Sequence, residues 1–151
     1  MKKIFIYYSH SGNGDLVAEF YKKKGYDVEK IIPSNPLPKN KFLSILIGGY
    51  KASVGYNDKL KQLSIDPNNY DEIIIGSPIW NSRLSSPINS LLNKIQLATK
   101  KTTFILYSAS GKPNKATELL KKQYPKSRII NLTEPKKYPQ EFEDILKKKG
   151  W

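Results

Sequence analysis

The chain contains no cysteine. Disulfides, thiolate zinc sites and cysteine nucleophiles are therefore excluded. It has a single histidine, His10, so no second imidazole can complete a metal pair. No G-x-S-x-G elbow accompanies it, and His10 reads as a solvent-facing loop residue rather than part of a hydrolase triad. Long hydrophobic runs are also missing. The longest, "FLSILIGGY" and "EIIIGSPIW", fall far short of the ~20 residues a spanning helix requires. The apolar part of "MKKIFIYYSHS" is too short for a secretory signal. These absences lead to the expectation of a cytoplasmic protein with no membrane association. Two well-known phosphate loops are absent as well. There is no G-x-x-x-x-G-K-[ST] run, and the second apolar run ends "IIPSN", without the carboxylate of a dinucleotide fingerprint. Acidic residues are scattered and none follows the first run, which disfavours a phospho-acceptor receiver domain.

Acidic residues are scarce overall: 13 Asp and Glu face 26 Lys and Arg, for a net charge of +13. The lysines gather at 22–24, 100–101, 121–122 and 147–149, each at the end of an expected helix, where cations favour the negative end of the dipole. Only Arg83 and Arg128 are arginine, whereas bidentate phosphate or base readout prefers arginine. Nucleic acid is thus not the expected partner, and an acidic protein partner fits the charge better.

What is present is a regular alternation. The 151 residues suit one domain, 1–151. Apolar runs at 3–8, 27–32, 72–77, 102–108 and 128–132 read as strands. Four are nearly continuous β-formers, as expected for strands covered on both faces, while the second alternates like an edge strand. Between them lie amphipathic helical patterns at 14–24, 40–50, 86–98, 114–123 and 139–149. Their apolar stripes, including Phe42, Ile45, Leu46 and Gly49 in the second, read as core. The expected fold is α/β: a three-layer α-β-α sandwich on a five-stranded parallel sheet with right-handed crossovers.

In such sheets ligands bind beyond the carboxyl ends of the strands. The loops there read "SHSGNG" (9–14), "SPIWNSRLSSP" (77–87) and "SASGKP" (108–113), all rich in small hydrogen-bonding residues. The first opens a helix, whose free N–H groups and positive dipole end suit an anion. It carries no lysine or arginine, so neutral donors are expected to hold the anion there. The second offers Trp80 as a flat surface for a planar ligand.

These three stretches resemble the flavodoxin family. "IYYSHSGNG" is similar to its phosphate loop, S/T-x-T/S-G-N-T. "YDEIIIGSPIWNSRLSSPINSLL" is similar to the stretch D-x-x-x-x-G-[ST]-P-x-W, and "FILYSASGKP" to the fourth-strand loop. "KNKFLSILIGGYKASVGYNDKL" resembles a helix-plus-glycine segment of flavodoxin-like reductase-type proteins. The resemblance implies strand order 2-1-3-4-5 and noncovalently bound FMN. It implies that Ser9, His10, Ser11, Gly12, Asn13 and Gly14 wrap the phosphate. Ser77, Pro78, Ile79, Trp80 and Asn81 would line the ribityl chain and one side of the ring system, and Ser108, Ala109, Ser110 and Gly111 the other side. Three departures stand out: Gly14 replaces the usual threonine, the fourth-strand loop has no stacking tyrosine, and that loop also lacks the acidic residues of electron-carrier flavodoxins.

The function implied is electron transfer with a redox partner protein. The alternatives are an NAD(P)H-dependent FMN or quinone reductase and a basic interaction module without FMN. A positive field, with Lys112 and Arg83 expected near the site, should make the second reduction step less negative in potential than in an acidic flavodoxin.

Overall fold

In the computed structural model, which describes residues 1–149, six strands and five helices follow the alternation just read. The last two residues of the expected 1–151 domain lie outside the described residues. The strands are β1 (Lys3–Tyr7), β2 (Asp27–Lys30), β3 (Glu72–Trp80), β4 (Arg83–Leu84), β5 (Lys101–Ser108) and β6 (Arg128–Thr133). The helices are α1 (Asn13–Lys23), α2 (Lys41–Ser53), α3 (Ser86–Leu92), α4 (Lys115–Gln123) and α5 (Pro139–Lys148).

The parallel sheet runs β2-β1-β3-β5-β6. This is the expected 2-1-3-4-5 order once β4 is set aside. The alternating strand β2 does lie at an edge. Continuous apolar runs form the middle of the sheet because each strand there must feed two cores. On one face Ile4, Ile6, Ile73, Ile75, Phe104 and Leu106 pack with Ile88 and Leu91 of α3 and Leu120 of α4. On the other, Phe5, Ile74, Ile105 and Ile130 meet Val17 and Tyr21 of α1 and Phe142 and Leu146 of α5.

Three differences from the sequence reading bear on the site. First, β3 runs on through Trp80 rather than ending at residue 77, and β4 returns antiparallel to it with Trp80 opposite Arg83. Asn81 and Ser82 join them with φ of 50° and 61°, the paired left-handed geometry of a two-residue hairpin turn. The expected loop 77–87 is therefore partly a β-ribbon arm. Second, α3 ends at Leu92 instead of 98, although Ile95 and Leu97 still reach the core from the turns that follow.

Third, the stripe of α2 does not face the core. Phe42, Ile45 and Leu46 are 69%, 63% and 53% exposed. The inward face is Ser44, Gly48 and Ala52, three residues spaced by one turn each. The reason is steric. A Cβ on Gly48 would stand 3.2 Å from the Trp80 ring and 3.3 Å from Leu37, so the helix approaches the β3 arm only through small residues. Phe42, Leu46 and Tyr50 are left pointing outward, and Ile45 faces the hollow beside the β3 arm.

Candidate functional site

The turn from β1 into α1 is built around one hydroxyl. Ser9 is buried, and its Oγ accepts hydrogen bonds from the N–H of Gly12 at 3.1 Å and of Gly14 at 3.0 Å. That curls residues 9–14 into a cup at the start of the helix. Gly12 supplies the left-handed residue the curl needs, with φ of 99°. Among the described residues, the N–H groups of His10, Ser11 and Asn13 and the Ser9 hydroxyl proton have no acceptor in the chain. The one carboxylate of the first helical turn, Asp15, is turned away: it accepts from Tyr7 Oη at 2.8 Å and from Lys30 Nζ at 2.9 Å.

The cup also has a cation that sequence reading missed. Lys136, from the turn between β6 and α5, donates its backbone N–H to Asn13 Oδ1 at 2.9 Å and its Nζ to the Ser11 carbonyl at 3.3 Å. The loop is thus not held by neutral donors alone. The contact crosses 123 residues of chain, so no local pattern announces it. An uncommitted hydroxyl proton, uncommitted amides and an ammonium form a donor set suited to a phosphate.

Gly14 has a physical reason to depart from threonine. A Cβ there would stand 2.5 Å from the Tyr107 hydroxyl, 2.7 Å from Tyr7 Cδ2 and 2.9 Å from Ser9 Cβ. Tyr107 comes from β5, is buried, and donates its hydroxyl to the Tyr8 carbonyl. It fills the space a side chain at 14 would need. Burial raises the Tyr107 phenol well above the ordinary tyrosine range, and burial, with Asp58 nearby, pushes Tyr8 up to about 12. Both remain neutral: Tyr107 packs beneath the cup at Gly14, and Tyr8 packs against Trp80.

Beside the cup opens a cleft of about 330 Å³, within the size range of small-molecule sites. His10, Ser11 and Asn13 line it from the first loop; Pro78, Ile79, Trp80 and Asn81 from the β3 arm; Tyr107, Ser108 and Ala109 from the end of β5. Leu37, Lys41, Ser44, Ile45 and Gly49 close one wall, and Glu134 contributes a carboxylate. Trp80 is fixed edge-on against Tyr8, with ring centroids 5.4 Å apart, and against Gly48 on its other side.

The remaining expected site residues sit behind the lining. Ser9, Gly12 and Gly14 shape the cup. Ser77 is fully buried and bonded to Ser85, whose N–H it receives at 3.2 Å. Gly111, with φ of 65°, packs against Thr133, and the Ser110 carbonyl accepts from the Thr133 hydroxyl at 3.4 Å. Arg83 lines a different hollow, with Ala52, Asn89 and Leu120, and Lys112 is not on the cleft wall. The cleft cations are instead Lys41 on the wall and Lys136 at the cup.

Comparison with known proteins bears on the family and the fold. The flavodoxin family profile matches residues 2–144. A flavoprotein from Lactobacillus acidophilus, solved in complex with FMN, superposes with a TM-score of 0.66 at 21% identity, covering 92% of this chain and 97% of its own. The apo form of the flavoprotein from that organism gives 0.60 at 26% identity over 88% and 91%. A putative flavoprotein from Bacteroides eggerthii gives 0.67 at 23% over 96% and 98%. No curated sequence matches the chain. With a profile match over nearly its whole length, the chain belongs to the flavodoxin family.

Proposed function

We propose that the cleft binds FMN noncovalently and that the protein serves as an electron carrier to a partner protein. The observation that carries this reading is the convergence of three separate loops on one cleft with a cationic cup at its end. Bound flavin would supply one- and two-electron redox chemistry; the protein binds, orients and tunes it. Ser9, Asn13 and Lys136 hold the phosphate group. Trp80, Ile79 and Pro78 present a dry, rigid wall to the flat ring system, and Ser108 and Ala109 bound the opposite side. Lys41 on the wall and Lys136 at the cup outnumber the one cleft carboxylate, Glu134, and with the net charge of +13 they favour added negative charge in the cleft. The second reduction step is accordingly less negative than in an acidic flavodoxin, which a redox titration checks.

The direct test is the visible spectrum of the purified protein before and after FMN is added. A yellow protein, or an apoprotein that takes up FMN with a shifted and structured spectrum, supports the reading. A protein that stays colourless with excess FMN overturns it in favour of a basic module without flavin. A second reading, an NAD(P)H-dependent reductase, is favoured by one feature. The β5 loop offers only small side chains and Ala109 is exposed, which leaves that side of the cleft open to a nicotinamide. Rapid bleaching by NADPH in stopped flow assigns the reductase; none assigns the carrier.

A further inference from the structure

The outward face of α2 has no partner within the described chain. Phe42, Leu46 and Tyr50, spaced by one turn, are 69%, 53% and 67% exposed. They lie opposite the small inward residues Ser44, Gly48 and Ala52. Leu43, Ile45 and Val54 widen the exposed apolar surface at 45%, 63% and 57%. Of the exposed large hydrophobic residues of the described chain, most belong to this helix or its immediate ends. A contiguous patch of this kind marks an interaction surface.

Its chemistry narrows the partner. No acidic residue occurs between Glu29 and Asp58, and Asp58 is buried and paired with Lys51 at 2.9 Å. Lys39 and Lys41 stand exposed at the helix start and form no ion pair among the described residues. The outward face of the helix therefore presents apolar side chains and lysines only, and the nearby carboxylate, Glu134, lies on the cleft side beside Lys41 and Ile45. A second copy would bring the same lysines and a net +13 against it. Protein interfaces favour arginine, methionine and aromatic anchors and disfavour lysine, whereas this face is mostly aliphatic and neither arginine of the chain lies on it. Aliphatic and aromatic side chains beside exposed lysines are the pattern of a helix lying in the headgroup region of an anionic bilayer.

We propose that α2 docks the protein peripherally on an anionic lipid surface, Phe42, Leu46 and Tyr50 entering the interface and Lys39 and Lys41 meeting the headgroups. No helix among the described residues is long and apolar enough to cross a membrane; the attachment is to the surface. This departs from the expectation of no membrane association. The proposal stands whether or not the cleft takes FMN.

The experiment is co-sedimentation of the full chain with vesicles of phosphatidylcholine, with and without phosphatidylglycerol. The expected result is binding to the anionic vesicles, at least about tenfold weaker on pure phosphatidylcholine and weakened by added salt. The F42S/L46S/Y50S variant should lose at least about tenfold of that binding at an unchanged melting temperature. A Phe42→Trp variant should be quenched by brominated acyl chains, which tests insertion without removing apolar surface. Equal binding of the wild type and the triple variant would overturn the proposal, since lysine adsorption alone would then explain it. Binding to neither vesicle also overturns it. If the wild type is then a dimer that the triple variant breaks, the face belongs to a second copy; if it is a monomer, the face is left to a protein partner.

Discussion

Two walls of the same cleft are built on opposite plans. The cup at residues 9–14 is closed from within: its hydroxyl binds its own glycine amides, Tyr107 and Tyr7 pack against Gly14, and the N–H groups of His10, Ser11 and Asn13 are left open. The α2 wall is closed by subtraction. Small residues let the helix sit against Trp80, and Phe42, Leu46 and Tyr50 are left facing outward. One wall is specified by what fits inside it, the other by what is kept out of the contact. The cup should consequently be intolerant of added atoms, whereas α2 should be intolerant on one face and indifferent on the other.

The largest effect is expected at Gly14. Restoring the family threonine, Gly14→Thr, drives a side chain into the Tyr107 hydroxyl, Tyr7 and Ser9. Overpacking of this kind costs about 1–3 kcal/mol, or very roughly 3–10 °C of melting temperature at this chain length. FMN affinity should fall with it. Because the nearest obstacle is the Tyr107 oxygen, adding Tyr107→Phe should recover part of the loss, a coupling that a double-mutant cycle measures. A stable, tightly binding Gly14→Thr single variant would show that the cup is not closed in this way.

That glycine shows both how far the sequence can be read and where it stops. The strands were legible because central strands covered on both faces must be apolar throughout. The cup was legible because its donors lie within six consecutive residues, 9–14. Gly14 itself could be seen as a departure, but its cause, Tyr107, lies on another strand. Lys136 was illegible for the same reason. On α2 the helical period was plain, yet the period alone does not say which face is inward. The stripe of large residues was assigned to the core by default, and the smaller Ser44–Gly48–Ala52 repeat, which carries the contact, has almost no hydrophobic signature. The β-ribbon arm was hidden because its turn is Asn-Ser, without the glycine that usually advertises such a hairpin.

The second effect comes from the buried tyrosines around the site, Tyr107 beneath the cup and Tyr8 against Trp80. Their folded-state pKa values are raised, so the neutral form is the one the fold accommodates. Stability from this source is complete below the ordinary value of 10.0 and is lost as pH climbs from there toward about 12 for Tyr8. Chemical-denaturation midpoints should be flat from pH 8 to 9 and fall between roughly pH 10 and 12, by on the order of 1–2 kcal/mol. Tyr8→Phe should flatten that fall. An unchanged alkaline profile in the variant would remove Tyr8 from the account.

A smaller change is expected at Lys136. Its charge reaches the cup but the side chain is exposed, so solvent screens it. Lys136→Gln should weaken FMN about three- to tenfold, near 1 kcal/mol, and leave riboflavin, which has no phosphate, unaffected. Titrations of the two ligands side by side separate this from a general loosening of the loop. An equal loss for both ligands would place Lys136 in support of the fold rather than at the phosphate.

The smallest effect sharpens the comparison most, because it sets two faces of one helix against each other. Replacing Phe42 and Leu46 with serine removes two large apolar side chains from positions the sequence pattern assigns to the core. Were they core, the pair would cost several kcal/mol. Since both are more than half exposed, the folded and unfolded states hydrate them similarly, and the melting temperature should move by no more than about 0.5 kcal/mol in equivalent stability. The contrasting variant is Gly48→Val on the inward face. There the new side chain meets Trp80 and Leu37, and a cost of about 1–3 kcal/mol is expected. A large loss from the serine pair together with a neutral Gly48→Val would reverse the assignment of the two faces. A neutral pair and a costly valine would establish that stability places no demand on the outward apolar face, so that what keeps it apolar must lie outside the isolated fold.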